Sequence, residues 1–249
     1  MSHNSEQADS HKTEELFIPP SRWGEDVKVD LDLVRNNLLE IKNKIVPCKI
    51  KIIGVTKYFG LDAIKKGFEA GLRDFGESRA LDAIRKIESL PKAIRKNSEF
   101  HFIGHLQTNK VEKVVRYFDY IHSVDSLKLA KVISKVACDL SKREKILLQV
   151  NNAQEEQKFG YDKKRLREDF SEILNLEGVD VVGLMNMAPL GANEEELRRI
   201  FSDLKKFRDE LKKEFSVELP ELSMGMSDDY EIAVQEGATM IRVGRKLFK

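Results

Sequence analysis

Ile50-Lys51-Ile52-Ile53-Gly54-Val55-Thr56-Lys57 is an apolar run dense in β-branched residues and closed by polar ones. Such a run, too short for a helix, reads as a buried strand. Seven more follow, at residues 72–75, 100–104, 120–124, 146–151, 179–185, 218–224 and 240–243. Between them lie helical stretches such as 61–70, 126–140 and 194–215, and in the last of these Phe201, Leu204, Phe207, Leu211 and Phe215 mark one buried stripe. Strands alternating with helices imply parallel pairing through right-handed crossovers, and eight of them favour closure. The expected fold is α/β, a single (β/α)8 TIM barrel, and the 249 residues match the usual length of about 250.

Upstream, Leu31, Val34, Leu38, Ile41 and Ile45 recur every three or four residues, predicting an extra N-terminal helix under or beside the barrel. Residues 1–25 begin polar and are punctuated by Pro19 and Pro20, which reads as a flexible extension to a barrel at 26–249. The opening residues lack the apolar segment of a secretory signal. No apolar run approaches the roughly 20 residues that span a bilayer. With 43 basic and 42 acidic residues the formal charge is +1, so no global field favours nucleic acid or an anionic membrane. Cys48 and Cys138 show neither zinc spacing nor a disulfide framework, which points to a reducing compartment. A cytoplasmic monomer is expected, because the helical stripes need only one barrel to bury them.

In such barrels chemistry sits on the loops that follow the strands, and phosphate commonly binds after strands seven and eight. Lys57 ends the first strand; Ser223-Met224-Gly225-Met226-Ser227-Asp228-Asp229 and Ile241-Arg242-Val243-Gly244-Arg245 lie at the last two. A primary amine beside an anion cradle suits an aldehyde cofactor bearing a phosphate, and pyridoxal 5′-phosphate is the candidate. A free lysine has a pKa near ~10.4 and attacks an aldehyde only as the neutral amine, so the site must disfavour its charge, with Arg242 a contributor. Gly225 permits a tight turn, and Ser227 reads as the N-cap of a helix through Glu231, Ile232, Ala233 and Val234. Unpaired N–H groups and the Ser227 hydroxyl there suit a phosphate. Ser223 and Met226, in the same segment, count among the candidate contacts. Gly244 either lets backbone amides approach an anion or is plain turn chemistry. His101, His105 and His122 have no carboxylate or thiol at a characteristic companion spacing, so they read as hydrogen-bonded structural histidines rather than a metal site. Walker A, GxGxxG and GxSxG patterns are absent.

Several segments occur together: Gly54-Val55-Thr56-Lys57, Phe75-Gly76-Glu77, the run HFIGHLQTNK from His101 to Lys110, Asn151 with Glu155, Lys158 and Gly160, Gly183-Leu184-Met185, and the two carboxyl-terminal segments. In this order they resemble the pyridoxal phosphate homeostasis protein family, also called the proline-synthase co-transcribed family, whose barrel is similar to the N-terminal domain of alanine racemase. The resemblance covers almost everything from residue 30 onward. It implies that Lys57 forms the internal aldimine, that Arg242 approaches the pyridine nitrogen, and that Ser227, Gly244 and Arg245 hold the phosphate. The family usually has threonine after that glycine, and often asparagine facing the ring after Phe-Gly-Glu. This chain has Arg245 and Ser78 instead. Arg245 keeps its backbone N–H and offers a guanidinium, while Ser78 is expected to alter the hold on the ring.

An arginine at the pyridine nitrogen is a permanent cation with no acceptor, so it disfavours ring protonation and leaves the cofactor a weaker electron sink. The second acid/base group of alanine racemase comes from a C-terminal β domain for which this chain carries no expected counterpart. Both points, with the resemblance, imply a non-catalytic carrier or buffer in intracellular vitamin B6 and amino-acid homeostasis, with pyridoxal phosphate-dependent apoenzymes as recipients. The alternative is a small pyridoxal phosphate-dependent racemase that recruits its missing acid, Tyr58 being the candidate. A regulatory protein reporting cofactor state to a partner is a third reading.

Overall fold

The computed structural model describes residues 28–46, 48–153 and 159–249; the expected extension at 1–25, and Glu155 and Lys158, lie outside them. Eight strands, β1 (Lys51–Val55), β2 (Asp74–Glu77), β3 (Glu99–Phe102), β4 (Tyr120–Val124), β5 (Glu144–Gln149), β6 (Val179–Met185), β7 (Glu221–Ser223) and β8 (Met240–Val243), pair in chain order. Every pairing is parallel, and β8 returns to β1 with Lys51 opposite Met240 and Gly54 opposite Val243. The barrel is therefore closed, as the alternation predicts. Its helices are α1 (Leu31–Ile45), α2 (Leu61–Glu69), α3 (Ala80–Ser89), α4 (Lys92–Lys96), α5 (Val111–Tyr117), α6 (Leu127–Asp139), α7 (Lys163–Leu174), α8 (Glu194–Phe215), α9 (Tyr230–Gln235) and α10 (Arg245–Phe248). None of the described helices is long and apolar enough to cross a membrane.

The Asp30 carboxylate starts α1 by accepting from the Leu33 N–H at 2.8 Å. Its buried face, Val34, Leu38, Ile41 and Ile45, lies beside the barrel against α2 and α10. In α8, Asn193 accepts from the Glu196 N–H at 2.9 Å, and Glu194, Glu195 and Glu196 occupy the positive end of the helix dipole. Phe201, Leu204, Phe207 and Leu211 are buried as the stripe predicts, joined by Leu197 and Ile200, while Phe215 is only partly covered. Each such side chain contributes about 1.5–3 kcal/mol by leaving water.

Three strand starts differ from the apolar runs by two residues or more, each for a local reason. Leu72 belongs to a helix stop: with Gly71 at φ 104°, the Leu72 N–H bonds to Gly67 O and the Gly71 N–H to Phe68 O, so the strand begins only at Asp74. Pro220 has no N–H for a ladder, which leaves β7 as Glu221–Ser223. Glu144, hidden from an apolar pattern by its charge, begins β5 although it is fully buried.

Burial pushes the Glu144 carboxyl up to about 7, against the opposing pull of Lys142 at 2.7 Å. The folded chain therefore keeps this proton to a higher pH than the unfolded chain does, and stability falls as pH rises from about 4.5 to about 7. Glu144→Gln should remove that decline and stabilise the protein above pH 7 by roughly 3 kcal/mol, at about 1.4 kcal/mol per pKa unit. Urea unfolding of both proteins at pH 5 and pH 8 checks it; equal pH slopes would refute it.

Candidate functional site

Most of the apolar core lies between the barrel and its helices, while Ile53, Tyr120, Leu147, Met185 and Met240 form a small cluster that includes inward-facing strand positions. A polar chain also threads the molecule. Arg242 on β8 is 4% exposed; its Nη1 donates to Ser223 O and Ser223 Oγ, each at 2.7 Å, and its Nη2 to Asn186 O at 2.7 Å. Ser223 Oγ lies 2.9 Å from His122 Nδ1, His122 Nε2 lies 3.0 Å from His101 Nδ1, and His101 Nε2 lies 3.0 Å from Asp74 Oδ1. The two ends are fixed, since a guanidinium only donates and a carboxylate only accepts. With both imidazoles neutral, as their burial favours, every proton points from Arg242 toward Asp74.

The electrostatics agree with this order. Burial lowers His101 against the pull of Asp74, and burial, with the charges of Arg242 and Lys51, holds His122 well below the usual histidine range. Burial works to raise Asp74, but His101 and Lys51 outweigh it and keep the carboxyl low. At the start of β1, Lys51 Nζ lies 2.6 Å from Glu99 and 3.3 Å from Asp74. Asp74, Glu99 and His101 bring three potential ligand atoms within 4.8 Å of one another, but the Lys51 ammonium already supplies a cation to both carboxylates. Burial pushes Arg242 down to about 10, opposed by Asp229, so it remains a cation at neutral pH.

Above Arg242, at the carboxyl ends of the strands, opens a cavity of about 440 Å³. Lys57, Met226, Ser227, Arg242, Gly244 and Arg245 all line it, drawing residues from both ends of the chain to one place. Ser223 lies beneath, under Arg242. Ser78 lines a different cavity, between the ends of β2 and β3. A Cβ on Gly104 would stand 2.2 Å from Ser78 O, so the two loops lie backbone to backbone there.

Ser227 does not cap α9. Asp229 precedes that helix, its Oδ1 accepting from the Met226 N–H at 2.5 Å, while Ser227 Oγ accepts from the N–H groups of Gly244 at 3.3 Å and Lys246 at 3.4 Å. The hydroxyl thus ties the β7 loop to the β8 loop. Gly225 makes the turn possible at φ 91°, where a Cβ would come within 2.6 Å of Ala233 Cβ. Among the described residues, the backbone N–H groups of Ser227, Asp228 and Arg245 donate to no other group. The Arg245 guanidinium lies on Asp228 at 2.6 Å, with both side chains exposed. Tyr58 is 56% exposed, and the Lys57 amine stands 5.0 Å from its ring centre.

Two groups of supporting residues escaped the sequence. Asn186 gives its carbonyl to Arg242, and its side chain donates to Asn152 at 3.0 Å. Behind Lys57, Lys86 Nζ donates to Thr56 O at 2.9 Å and Glu77 Oε1 at 2.7 Å, and Thr56 Oγ1 donates to the same carboxylate oxygen at 2.7 Å. Glu77 was visible as part of Phe75-Gly76-Glu77, but nothing in the sequence connected it with Lys86.

A closed eight-stranded barrel whose carboxyl end gathers a lysine from its first strand and an arginine and two glycine-bearing turns from its last two around one cavity defines a small α/β-barrel protein. The sequence profile of the alanine racemase N-terminal domain matches residues 29–249. A pyridoxal phosphate homeostasis protein of Synechocystis sp. is 40% identical over 203 residues, 82% of this chain and 92% of the relative. The chain belongs to the pyridoxal phosphate homeostasis protein family, within the alanine racemase N-terminal-domain fold. PipY of Synechococcus elongatus, whose structure was solved with pyridoxal phosphate bound, matches with TM-score 0.80 and 37% identity over 87% of this chain and all of its own. An alanine racemase from Clostridium difficile, 20% identical with TM-score 0.71, shares the fold over 88% of this chain and 60% of its own.

Proposed function

We propose that this chain binds pyridoxal 5′-phosphate in the cavity above Arg242, held as a Schiff base by Lys57, and acts as a non-catalytic carrier or buffer in vitamin B6 and amino-acid homeostasis. The observation that carries the reading is the convergence of Lys57, Arg242, Ser227 and Gly244 on one cavity of about 440 Å³, within the usual range of ligand sites, about 300–1,000 Å³. The residues suit the cofactor. Val55, Ile103, Met187 and Met226 offer apolar surface to a flat ring, and Lys57 offers the amine for its aldehyde. The N–H groups of Ser227, Asp228 and Arg245, together with the Ser227 hydroxyl, suit the phosphate. Bound, the cofactor supplies an electron sink; the Arg242 cation, fixed by three hydrogen bonds, opposes protonation of a pyridine nitrogen beside it and keeps that sink weak.

On this reading the chain is a cytoplasmic monomer that donates its cofactor to pyridoxal phosphate-dependent apoenzymes. The test has two parts. Wild-type protein mixed with pyridoxal phosphate should show a visible band that borohydride bleaches, with the reduced adduct on the Lys57 peptide. In deuterium oxide, exchange of amino-acid α-protons should stay far below ordinary turnover of roughly 1 to 1,000 per second. Exchange at enzymatic rates would replace the carrier with a racemase-like catalyst, and an unmodified spectrum would remove the cofactor reading.

A further inference from the structure

A second cavity, of about 360 Å³, opens at the same end of the barrel, around the residues that follow β2 and β3. Its floor is apolar: Phe102 and Leu106 are each 2% exposed, and Leu81 stands at its edge, 39% exposed. Its wall is cationic. Arg79, Arg85 and Lys110 line it beside His105, with Asp82 as the one carboxylate among the lining residues. In a chain of net charge +1, three permanent cations against one anion around a cavity is a local concentration of charge. Arg85 and Lys110 form no ion pair among the described residues. His105 is steadied by Asp125 at 3.5 Å and by the Phe159 ring, with centres 3.8 Å apart. The Tyr58 ring links the two cavities, with the Lys57 amine 5.0 Å from its centre and the Arg79 guanidinium 5.9 Å from it.

An apolar floor under a ring of cations matches one ligand chemistry: an organic body carrying a carboxylate or phosphate, which guanidinium forks engage in pairs of hydrogen bonds. We propose that this cavity is a second ligand site for a small organic anion of that kind, separate from the cavity of Lys57. Its binding does not depend on pyridoxal phosphate.

Calorimetric titration of the full chain in low-salt, phosphate-free buffer tests it, with phenyl phosphate, phenylacetate and neutral phenylacetamide as probes. At least one anion should bind saturably, with the amide weaker by about tenfold or more. The double variant Arg85→Gln/Lys110→Gln should lose about tenfold or more in anion affinity, with an unchanged melting profile. Lys57→Ala/Ser227→Glu, which places a carboxylate in the first cavity, should keep the binding. Anion binding that survives the first double variant and disappears in the second assigns the ligand to the Lys57 cavity and overturns the proposal. Equal affinity for the amide, or no saturable binding below about 10 mM, overturns it as well. None of these outcomes bears on whether Lys57 holds pyridoxal phosphate, because the probes carry no aldehyde.

Discussion

Lys57→Ala should abolish borohydride-trappable attachment of pyridoxal 5′-phosphate altogether, while stability stays within about 0.5 kcal/mol of wild type. The loss is all or none because Lys57 is the only lysine lining the cavity among the described residues. Lys51, at the start of the same strand, is engaged with Glu99 and Asp74 near the far mouth of the barrel. The stability term is small because the Lys57 side chain is half-buried and its recorded contact is the exposed Tyr58 ring. Lys57→Arg sharpens the test. It keeps a cation near Tyr58 but cannot condense with an aldehyde, so it should bind the cofactor without trapping it. A trapped adduct in the alanine variant would place the covalent bond on another lysine and end the assignment.

Non-covalent binding should persist in the alanine variant, because the groups proposed to hold the phosphate do not need the amine. Ser227 joins the β7 and β8 loops through Gly244 and Lys246, and Arg242 is locked by Ser223 and Asn186. This rigidity is what the proposed carrier role requires. The cavity is set before the ligand arrives, and the proposed reversible bond to Lys57 would add retention without adding acid/base groups around it.

How much of this was legible depends on the range over which each interaction acts. Strand interiors such as Ile52–Val55 and the stripe of α8 announce themselves locally, because periodicity reports burial. The start of β2 misled, because Leu72 is apolar for the sake of a helix stop. Ser227 misled in the same way: a serine before a short helix reads as a cap, yet its partners are Gly244 and Lys246. The polar chain was invisible as a chain. His101, His122, Ser223 and Arg242 each sit in or beside an apolar run, but the separations between bonded partners are 21, 101 and 19 residues. Only closure of the barrel brings them together. The motif residues at Lys57 and Arg242 stood out because their chemistry is distinctive, and both line the cavity, whereas Asn186 and Lys86 support them through a backbone carbonyl and a buried carboxylate that no pattern signals.

Lys86→Met should destabilise the protein by about 3–5 kcal/mol, the usual consequence of removing one partner from a buried ion pair. Glu77 is 1% exposed, and its Oε1 is satisfied by Lys86 and Thr56 while Oε2 has no hydrogen-bond partner. Without the ammonium, a carboxylate would stand between sheet and helix with a single hydroxyl for company. The same ammonium holds Thr56 O, one residue before Lys57, so the variant should also slow cofactor trapping by loosening the strand end that aims the amine. Glu77→Gln in the Lys86→Met background should recover most of the stability, since the amide oxygen still accepts from Thr56 and no buried charge remains. It should not recover the trapping rate, because Thr56 O still lacks its donor. Denaturant unfolding and trapping kinetics on the four proteins of this cycle separate the two effects. A single variant that loses less than about 1 kcal/mol would show that Glu77 does not need Lys86, and a double variant with wild-type trapping would show that Thr56 does not either.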